Sequence, residues 1–345
     1  MTTRTITPER IELRSFEPEH LPDFVAFWNQ AFSARRGFLE LTETLVHRRL
    51  LKCPAFDPAG LTIAWHRNTA EIEQMVGLVH AFRPPPDTPT YRRWGRHHTI
   101  AVLYVEPAFR YQGIGGRLLK AAEDWLYYCP VHFGDQSTPC YGNVEGPRQP
   151  LFGSSQRMGI NARDSELLQF LSKRGYKVVD PGDVSMTVEL GHHKRSERRS
   201  SSHKRGSLRM LRVDNMSPFT GNEPAGRSEH TIWGRDSEDP YSALVLVDDS
   251  NTMRGHLTWY RFQDISGEQS AAIYGFWLDP AWRGLGYGSL LLDTALDDME
   301  GAMPSNLRLR QVEVQTHVVR HSDAVALYES RGFQIDDVWV TLVKT

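Results

Sequence analysis

Residues 278–292 read LDPAWRGLGYGSLLL, and residues 105–119, which lie 173 positions earlier, read VEPAFRYQGIGGRLL. Seven of the fifteen aligned positions are identical, and they include one arginine and two glycines in each copy. An apolar run rich in β-branched and aromatic residues precedes each copy, and leucines and alanines at helical spacing follow it. Each copy therefore predicts a strand, a glycine-rich turn and a helix, and the repeat predicts two similar domains.

The predicted turn is suited to binding phosphate. Glycines there allow a positive φ and let a ligand approach the backbone closely. The first turn of the following helix presents N–H groups without intrahelical acceptors, at the positive end of the helix dipole. Arg110 and Arg283 are expected to add a positive charge. Neither copy has the lysine of a Walker A loop, and Leu118 and Leu291 stand where a dinucleotide fingerprint needs its last glycine.

The remaining pattern is R-x-x-G-x-G, preceded by a strand, an acid and a proline. It resembles the acetyl-CoA pyrophosphate loop of the GCN5-related N-acetyltransferase (GNAT) family. The resemblance implies an α/β fold with two tandem GNAT domains, each a mixed, mostly antiparallel sheet flanked by helices. It implies acetyl-CoA as co-substrate, no metal, and cofactor contacts in both copies: Leu278, Arg283, Gly284, Leu285, Gly286, Tyr287 and Gly288, and Val105, Arg110, Tyr111, Gln112, Gly113, Ile114 and Gly115.

A second motif follows in the C-terminal half, where residues 312–333 read VEVQTHVVRHSDAVALYESRGF. Its strand, helix and terminal Gly-Phe resemble the part of the GNAT site that carries a tyrosine near the cofactor sulfur. The resemblance implies that Tyr328 protonates the leaving thiolate; the other interpretation is a core aromatic residue at helical spacing. In the N-terminal half, alignment of Arg174-Gly175-Tyr176 with this motif places Leu171 where Tyr328 stands. That half is therefore expected to be able to bind CoA but to be poorly equipped for catalysis, and its role stays open between a structural part, a regulatory part and a wall of the substrate cleft.

The other catalytic groups are less well defined by the sequence. Backbone N–H groups near Leu278 are expected to hold the thioester oxygen. The base that takes the proton of the amine stays open between Glu313, His317 and a chain of water molecules. The acceptor is expected to be a small-molecule or peptide amine. The arrangement is similar to that of tandem GNAT proteins of the mycothiol synthase type, but no residue here argues for that substrate.

Composition and spacing set the domain boundaries. We predict an N-terminal GNAT domain over 1–190, a basic flexible linker over 191–206 and a catalytic GNAT domain over 207–345. The linker has six Lys or Arg and three His but no apolar residue, which favours a solvated connection. An RNA contact is disfavoured because the linker lacks interleaved aromatic residues. A metal site is disfavoured because Cys or carboxylate spacing is missing around its three histidines, which are His192, His193 and His203.

Overall composition narrows the class of protein further. The net charge of −2 and the pI of about 6.7 argue against a nucleic-acid partner. A run of 18 apolar residues is missing from the sequence, which argues against a membrane span. Cys53, Cys129 and Cys140 lack a paired spacing, and we predict reduced thiols in a cytoplasmic protein.

Two other functions stay open at this point. One is a catalytically silent acyl-CoA-binding or sensor protein with two CoA pockets, which would not need Tyr328. The other is an acyltransferase that uses a longer acyl donor. The sequence indicates neither the acceptor nor the oligomeric state.

Overall fold

The computed structural model divides into two compact units. Its described residues are 11–35, 38, 40–53, 55–83, 97–127, 130–134, 141, 151, 159–194, 208–214, 222, 241–263, 269–301 and 309–345. The N-terminal unit takes its described residues from Met1–Val144, Arg157–Pro181 and Val340–Thr345. The C-terminal unit takes them from Glu145–Gln156 and Gly182–Trp339.

The N-terminal half of the chain contributes seven strands and four helices within these described ranges. In chain order they are β1 (Ile11–Ser15), α1 (Leu21–Phe32), α2 (Glu43–Val46), β2 (Leu61–Arg67), β3 (Glu73–Phe82), β4 (His98–Val105), α3 (Ile114–Leu126), β5 (Val131–Phe133), β6 (Ile160–Asn161), α4 (Ser165–Ser172) and β7 (Lys177–Glu189).

The C-terminal half contributes six strands and two helices within the described part of the chain. They are β8 (Arg209–Asp214), β9 (Tyr241–Val247), β10 (Met253–Gln263), β11 (Gln269–Leu278), α5 (Tyr287–Gly301), β12 (Gln311–His317), α6 (Ser322–Glu329) and β13 (Gln334–Lys344). The predicted boundaries at 190 and 207 stay a prediction, because residues 195–207 lie outside the described residues.

Both units have the same strand pairing. In the N-terminal unit β1, β2, β3 and β4 are antiparallel neighbours, β5 is parallel to β4, and residues 342–344 of β13 are antiparallel to β5. In the C-terminal unit β8, β9, β10 and β11 are antiparallel, β12 is parallel to β11, and residues 183–189 of β7 are antiparallel to β12. The last strand of each sheet is therefore supplied by a segment distant in sequence from its neighbours.

The helix that follows each glycine turn packs on its sheet through one apolar face. In α3 the buried face is Ile114, Leu118, Leu119, Ala122 and Leu126. In α5 it is Tyr287, Leu291, Leu292, Ala295, Leu296 and Met299. Burial of each large apolar side chain contributes about 1.5–3 kcal/mol. These faces fix the position of each helix N-terminus relative to the strand before it.

Two further observations bear on the sequence analysis. Cys53 is disulfide-bonded, so the prediction of three reduced thiols is wrong for this residue. The other two cysteines, Cys129 and Cys140, lie outside the described residues. Among the described helices none is long and apolar enough to cross a membrane.

The N-terminal unit encloses a titratable side chain, His80 on β3. Its ring is fully buried beside Phe82 and Phe56, and its Nδ1 atom lies 2.9 Å from the hydroxyl oxygen of Tyr141. Burial lowers the pKa of His80 to about 3, because the protonated ring would lose its hydration. The unfolded chain therefore takes up this proton at a higher pH than the folded protein does.

We predict that His80 makes the protein less stable as the pH falls below about 6.5, the ordinary histidine pKa, with the loss continuing toward the folded pKa of about 3. The loss should be at most about 1.4 kcal/mol per pH unit. Urea unfolding at pH 7 and pH 5 should show a smaller difference for His80→Phe than for wild type. His66→Phe on β2, at a half-exposed ring, should keep the wild-type difference. Equal pH dependence in all three proteins would contradict the assignment.

Candidate active site

The two glycine turns adopt the same backbone conformation. In the C-terminal unit Gly284 and Gly286 have φ values of 72° and 88°. In the N-terminal unit the corresponding residues are Tyr111 and Gly113, with φ values of 62° and 81°. A Cβ atom at Gly284 or Gly113 would meet nothing within 4 Å, so glycine is favoured there by the left-handed conformation and not by crowding. The space beside each turn is open to a ligand.

The arginine of each turn closes the turn by folding back onto the strand. The Nε atom of Arg283 donates to the carbonyl oxygen of Leu278 at 3.1 Å, and that of Arg110 donates to the carbonyl oxygen of Val105 at 3.0 Å. This bond ties the end of the strand to the turn five residues later. The guanidinium charge stays at the turn, where it adds to the positive end of the helix dipole.

Each unit opens a gap between two parallel strands at a β-bulge. The parallel pairing of β11 with β12 ends at Ile273. The next residue, Tyr274, is a β-bulge: it has no partner in the register with β10, which shifts between Thr258 and Trp259. A bulge bends its strand and re-aims the residues after it. From Tyr274 onward β11 stays paired with β10 and leaves β12, so backbone N–H and C=O groups on that edge face the gap.

The N-terminal unit repeats this bulge at Ala101, 173 positions earlier. There the parallel pairing of β4 with β5 ends at Ile100, one residue before the bulge. The bulge, the end of parallel pairing and the glycine turn therefore recur in the same order in both units.

Tyr328 lies beside the gap of the C-terminal unit. Its side chain is 2% exposed, and its ring centroid lies 6.2 Å from that of Phe276 on β11 and 5.3 Å from that of Phe333. Burial raises the pKa of the Tyr328 hydroxyl above its ordinary value. Burial therefore favours the neutral hydroxyl over the charged phenolate.

The loop after α6 holds Tyr328 in place, and the N-terminal unit has the same loop. The carbonyl oxygen of Tyr328 accepts from the N–H groups of Arg331 and Phe333 at 2.9 Å and 3.2 Å. Leu171 accepts equivalent bonds from Arg174 and Tyr176 at 2.8 Å and 3.2 Å. The backbone hydrogen bonds therefore agree with the sequence alignment, in which Leu171 stands at the position of Tyr328.

A carboxylate distinguishes the N-terminal turn further. The hydroxyl of Tyr111 donates to Glu166 of α4 at 2.6 Å, and an Arg110 nitrogen lies 3.4 Å from the other oxygen of the same carboxylate. Gly284 stands at the position of Tyr111 in the C-terminal unit and has no side chain to make such a contact. A negative charge beside the N-terminal turn weakens its attraction for phosphate.

Sequence analysis missed a buried ion pair that supports Tyr328. The Nε and Nη2 atoms of Arg331 lie 2.7 Å and 3.1 Å from the two carboxylate oxygens of Asp293 on α5. The arginine side chain is 7% exposed. This two-bond contact attaches the loop after α6 to the helix that follows the glycine turn. The residues lie 38 positions apart, so no local pattern indicated the contact.

The opposite face of the C-terminal sheet carries buried polar side chains. Val312 and Val314 of β12 point into the core with α5, so Glu313 between them lies on the other face. On β10 Leu257 and Trp259 belong to the core with α5, so His256 and Thr258, which alternate with them, lie on the same face as Glu313. Glu313 stands one residue before the β12 position where pairing with β11 ends.

His317 does not fit the role of a base. Its Nδ1 atom accepts bonds from the N–H groups of Val319 and Arg320 at 3.1 Å and 3.0 Å. In the neutral ring Nε2 must then carry the proton, so this nitrogen is a donor and not an acceptor. The geometry gives His317 the role of closing the turn after β12.

Comparison with known proteins identifies the same architecture. The sequence matches the family model described as acetyltransferase (GNAT) family over residues 15–127 and 208–333. No curated protein matches the chain. A solved tandem GNAT protein from the clavulanic acid biosynthesis pathway is 17% identical, with a TM-score of 0.65 over 96% of this chain and 98% of that chain.

Two other solved structures have a similar fold. One is a GCN5-related glucosamine N-acetyltransferase region of a fungal multi-domain β-N-acetylglucosaminidase, 14% identical, with a TM-score of 0.61 over 98% of this chain and 38% of that one. The other is Saccharomyces cerevisiae N-myristoyltransferase with bound myristoyl-CoA, 11% identical, with a TM-score of 0.51 over 98% of this chain and 80% of that one. The α/β fold predicted from the repeated turn is confirmed.

We predict that Asp293→Asn destabilises the protein by about 2 kcal/mol, because it removes the charged hydrogen-bond partner of the buried Arg331 guanidinium. Thermal unfolding should show the loss. The control is Asp124→Asn, which removes the exposed ion pair with Lys120 on α3 and should cost no more than about 0.5 kcal/mol. Similar small losses in both variants would show that the Arg331 contact does not stabilise the fold.

Proposed function

Because the chain belongs to the acetyltransferase (GNAT) family, with two GNAT domains in tandem, we propose that it moves an acetyl group from acetyl-CoA to a primary amine. The reaction takes place in the C-terminal unit, and the acceptor is a small molecule or a peptide. The observation that carries the proposal is the convergence of three features in that unit: the glycine turn, the gap after the bulge at Tyr274, and the buried hydroxyl of Tyr328.

The cofactor would be held at two places. The pyrophosphate would accept bonds from the N–H groups of the turn and of the first turn of α5, through Arg283, Gly284, Leu285, Gly286, Tyr287 and Gly288. The acyl-bearing arm would leave the turn at the Leu278 end of β11 and extend along the free edge of this strand, where N–H groups near Leu278 would bind the thioester oxygen. The corresponding N-terminal turn, from Val105 through Arg110, Tyr111, Gln112, Gly113, Ile114 and Gly115, would bind CoA more weakly because of Glu166.

The amine would approach from the face opposite α5. The α5 side of the gap is filled by the core around Tyr328, whereas the other face carries Glu313, His256 and Thr258. Attack of the amine on the thioester carbonyl forms the C–N bond, and collapse of the intermediate breaks the C–S bond. Glu313 is the carboxylate best placed to take the amine proton, directly or through water.

Tyr328 would donate its proton to the departing sulfur. A free thiol has a pKa of about 8.5, so transfer from a tyrosine is unfavourable in water. Burial raises the pKa of the tyrosine and of the thiol alike, so the transfer depends on close positioning of the hydroxyl at the sulfur. A hydroxyl held next to the sulfur then protonates the thiolate as it forms.

Calorimetry of acetyl-CoA binding tests the cofactor sites. We expect Gly286→Glu to remove the tighter site and Gly113→Glu to remove the weaker one, because each places a negative charge and a strained side chain at a turn. The matched control is Gly301→Glu at the other end of α5, where a Cβ meets nothing within 4 Å; it should bind as wild type does. Absence of binding by the wild type would overturn the proposed function.

Release of the CoA thiol, followed with an amine panel, tests the chemistry. We expect Tyr328→Phe to lower kcat about 100-fold or more with an unchanged Kd for acetyl-CoA. Tyr176→Phe in the N-terminal unit removes another buried hydroxyl and should keep full activity. Retained activity in Tyr328→Phe would make Tyr328 a core aromatic residue only. Tight binding without transfer to any amine would favour the alternative, a silent acyl-CoA sensor.

A further inference from the structure

A buried histidine and two carboxylates meet at the far end of α5, away from its N-terminal turn. His193 follows β7, and Asp297 and Glu300 stand three positions apart in the last turns of α5. One nitrogen of the histidine and one oxygen from each carboxylate lie within 4.8 Å of one another. Residues three apart on a helix share a face, so both carboxylates point to the same side of α5.

The imidazole of His193 is enclosed but makes no hydrogen bond. Its side chain is 3% exposed, and neither ring nitrogen has a hydrogen-bond partner among the residues that the structure describes. Its Nε2 atom lies 4.0 Å from a carboxylate oxygen of Asp297, beyond hydrogen-bond distance. Buried polar groups are nearly always satisfied, so an imidazole in this state points to a ligand.

The backbone holds His193 in this position. The N–H group of His192 donates to the carbonyl oxygen of Glu189 at 3.2 Å, and that of Lys194 donates to the carbonyl oxygen of Arg331 at 3.0 Å. The residues on both sides of His193 are therefore fixed, and its ring is directed to α5 by the fold of the C-terminal unit.

The charge at this end of the helix favours a cation. Asp297 and Glu300 carry two negative charges, and the C-terminal end of a helix adds a partial negative charge. In α3 the position of Asp297 is taken by Asp124, but Tyr127 stands in the place of Glu300, so the pair of carboxylates is not repeated there. The cluster is thus an addition to the C-terminal unit and not a feature of the repeated fold.

We propose that His193, Asp297 and Glu300 bind a divalent transition metal ion of the zinc class. One imidazole nitrogen and two carboxylate oxygens form a three-ligand set that zinc accepts with water as the fourth ligand. Ligand atoms around a tetrahedral zinc ion lie about 3.3 Å apart, given bond lengths of about 2.0 Å. Binding would require the two exposed carboxylates to rotate from their present spacing, which is within 4.8 Å, to this one. The bound ion attaches the segment after β7 to the end of α5.

The test is a zinc titration of the full-length protein after removal of metals with a chelator. We expect one ion per chain, with His193→Ala and the double variant Asp297→Asn, Glu300→Gln each binding at least about 10-fold more weakly, in line with the loss of a ligand. Saturating zinc should raise the thermal unfolding midpoint of the wild type but not of either variant. The neighbouring His192→Ala is the matched control, because this side chain is 80% exposed; it should bind as tightly as the wild type.

Several outcomes would overturn the proposal. Unchanged zinc affinity in His193→Ala, or an equal loss in His192→Ala, would assign binding to the exposed histidines. Equal affinity for Mg²⁺ would show that the carboxylates bind hard cations without the imidazole. Absence of binding would leave His193 as the ion-pair partner of Asp297. If His193→Ala fails to fold, the exposed-site variant Asp297→Asn replaces it, and an unchanged zinc affinity in that variant would overturn the proposal.

Discussion

The bulge at Tyr274 is the constraint on which the C-terminal site depends. Parallel strands stay hydrogen-bonded for as long as their backbones run at a common spacing, and one extra residue in β11 ends that spacing after Ile273. The later residues of β11, from Gly275 to Leu278, no longer pair with β12 but stay hydrogen-bonded to β10. Since β10 pairs with β11 and β7 pairs with β12, hydrogen bonds hold the strand on each side of the gap, and the free edge of β11 is available to an extended ligand.

The two units show how the same frame carries different chemistry. The bulge, the positive φ of the turn and the hydrogen bonds after the last helix recur at Ala101, Gly113 and Leu171. What differs are side chains that leave the backbone unchanged. Leucine replaces Tyr328, and a carboxylate lies at the N-terminal turn, so the two units differ in the side chains that the proposed reaction would use.

Local chemistry explains which features the sequence could predict. The turn was recognisable because its glycines, arginine and flanking strand and helix lie within fifteen residues. Leu171 could be aligned with Tyr328 because both precede an Arg-Gly-aromatic loop by the same number of residues. The Arg331–Asp293 pair and the cluster around His193 depend on contacts between distant segments. Patterns of hydrophobic spacing within one segment do not indicate such contacts.

The exchange of terminal strands has a consequence for the order of synthesis. The sheet of the N-terminal unit is completed by residues 342–344, which pair with residues 131–133 more than 200 positions earlier. Chains usually fold from the N-terminus as they leave the ribosome. Here the unit that is translated first has an open edge at β5 until residues 342–344 emerge, so its sheet is completed only after the C-terminal unit has been synthesised.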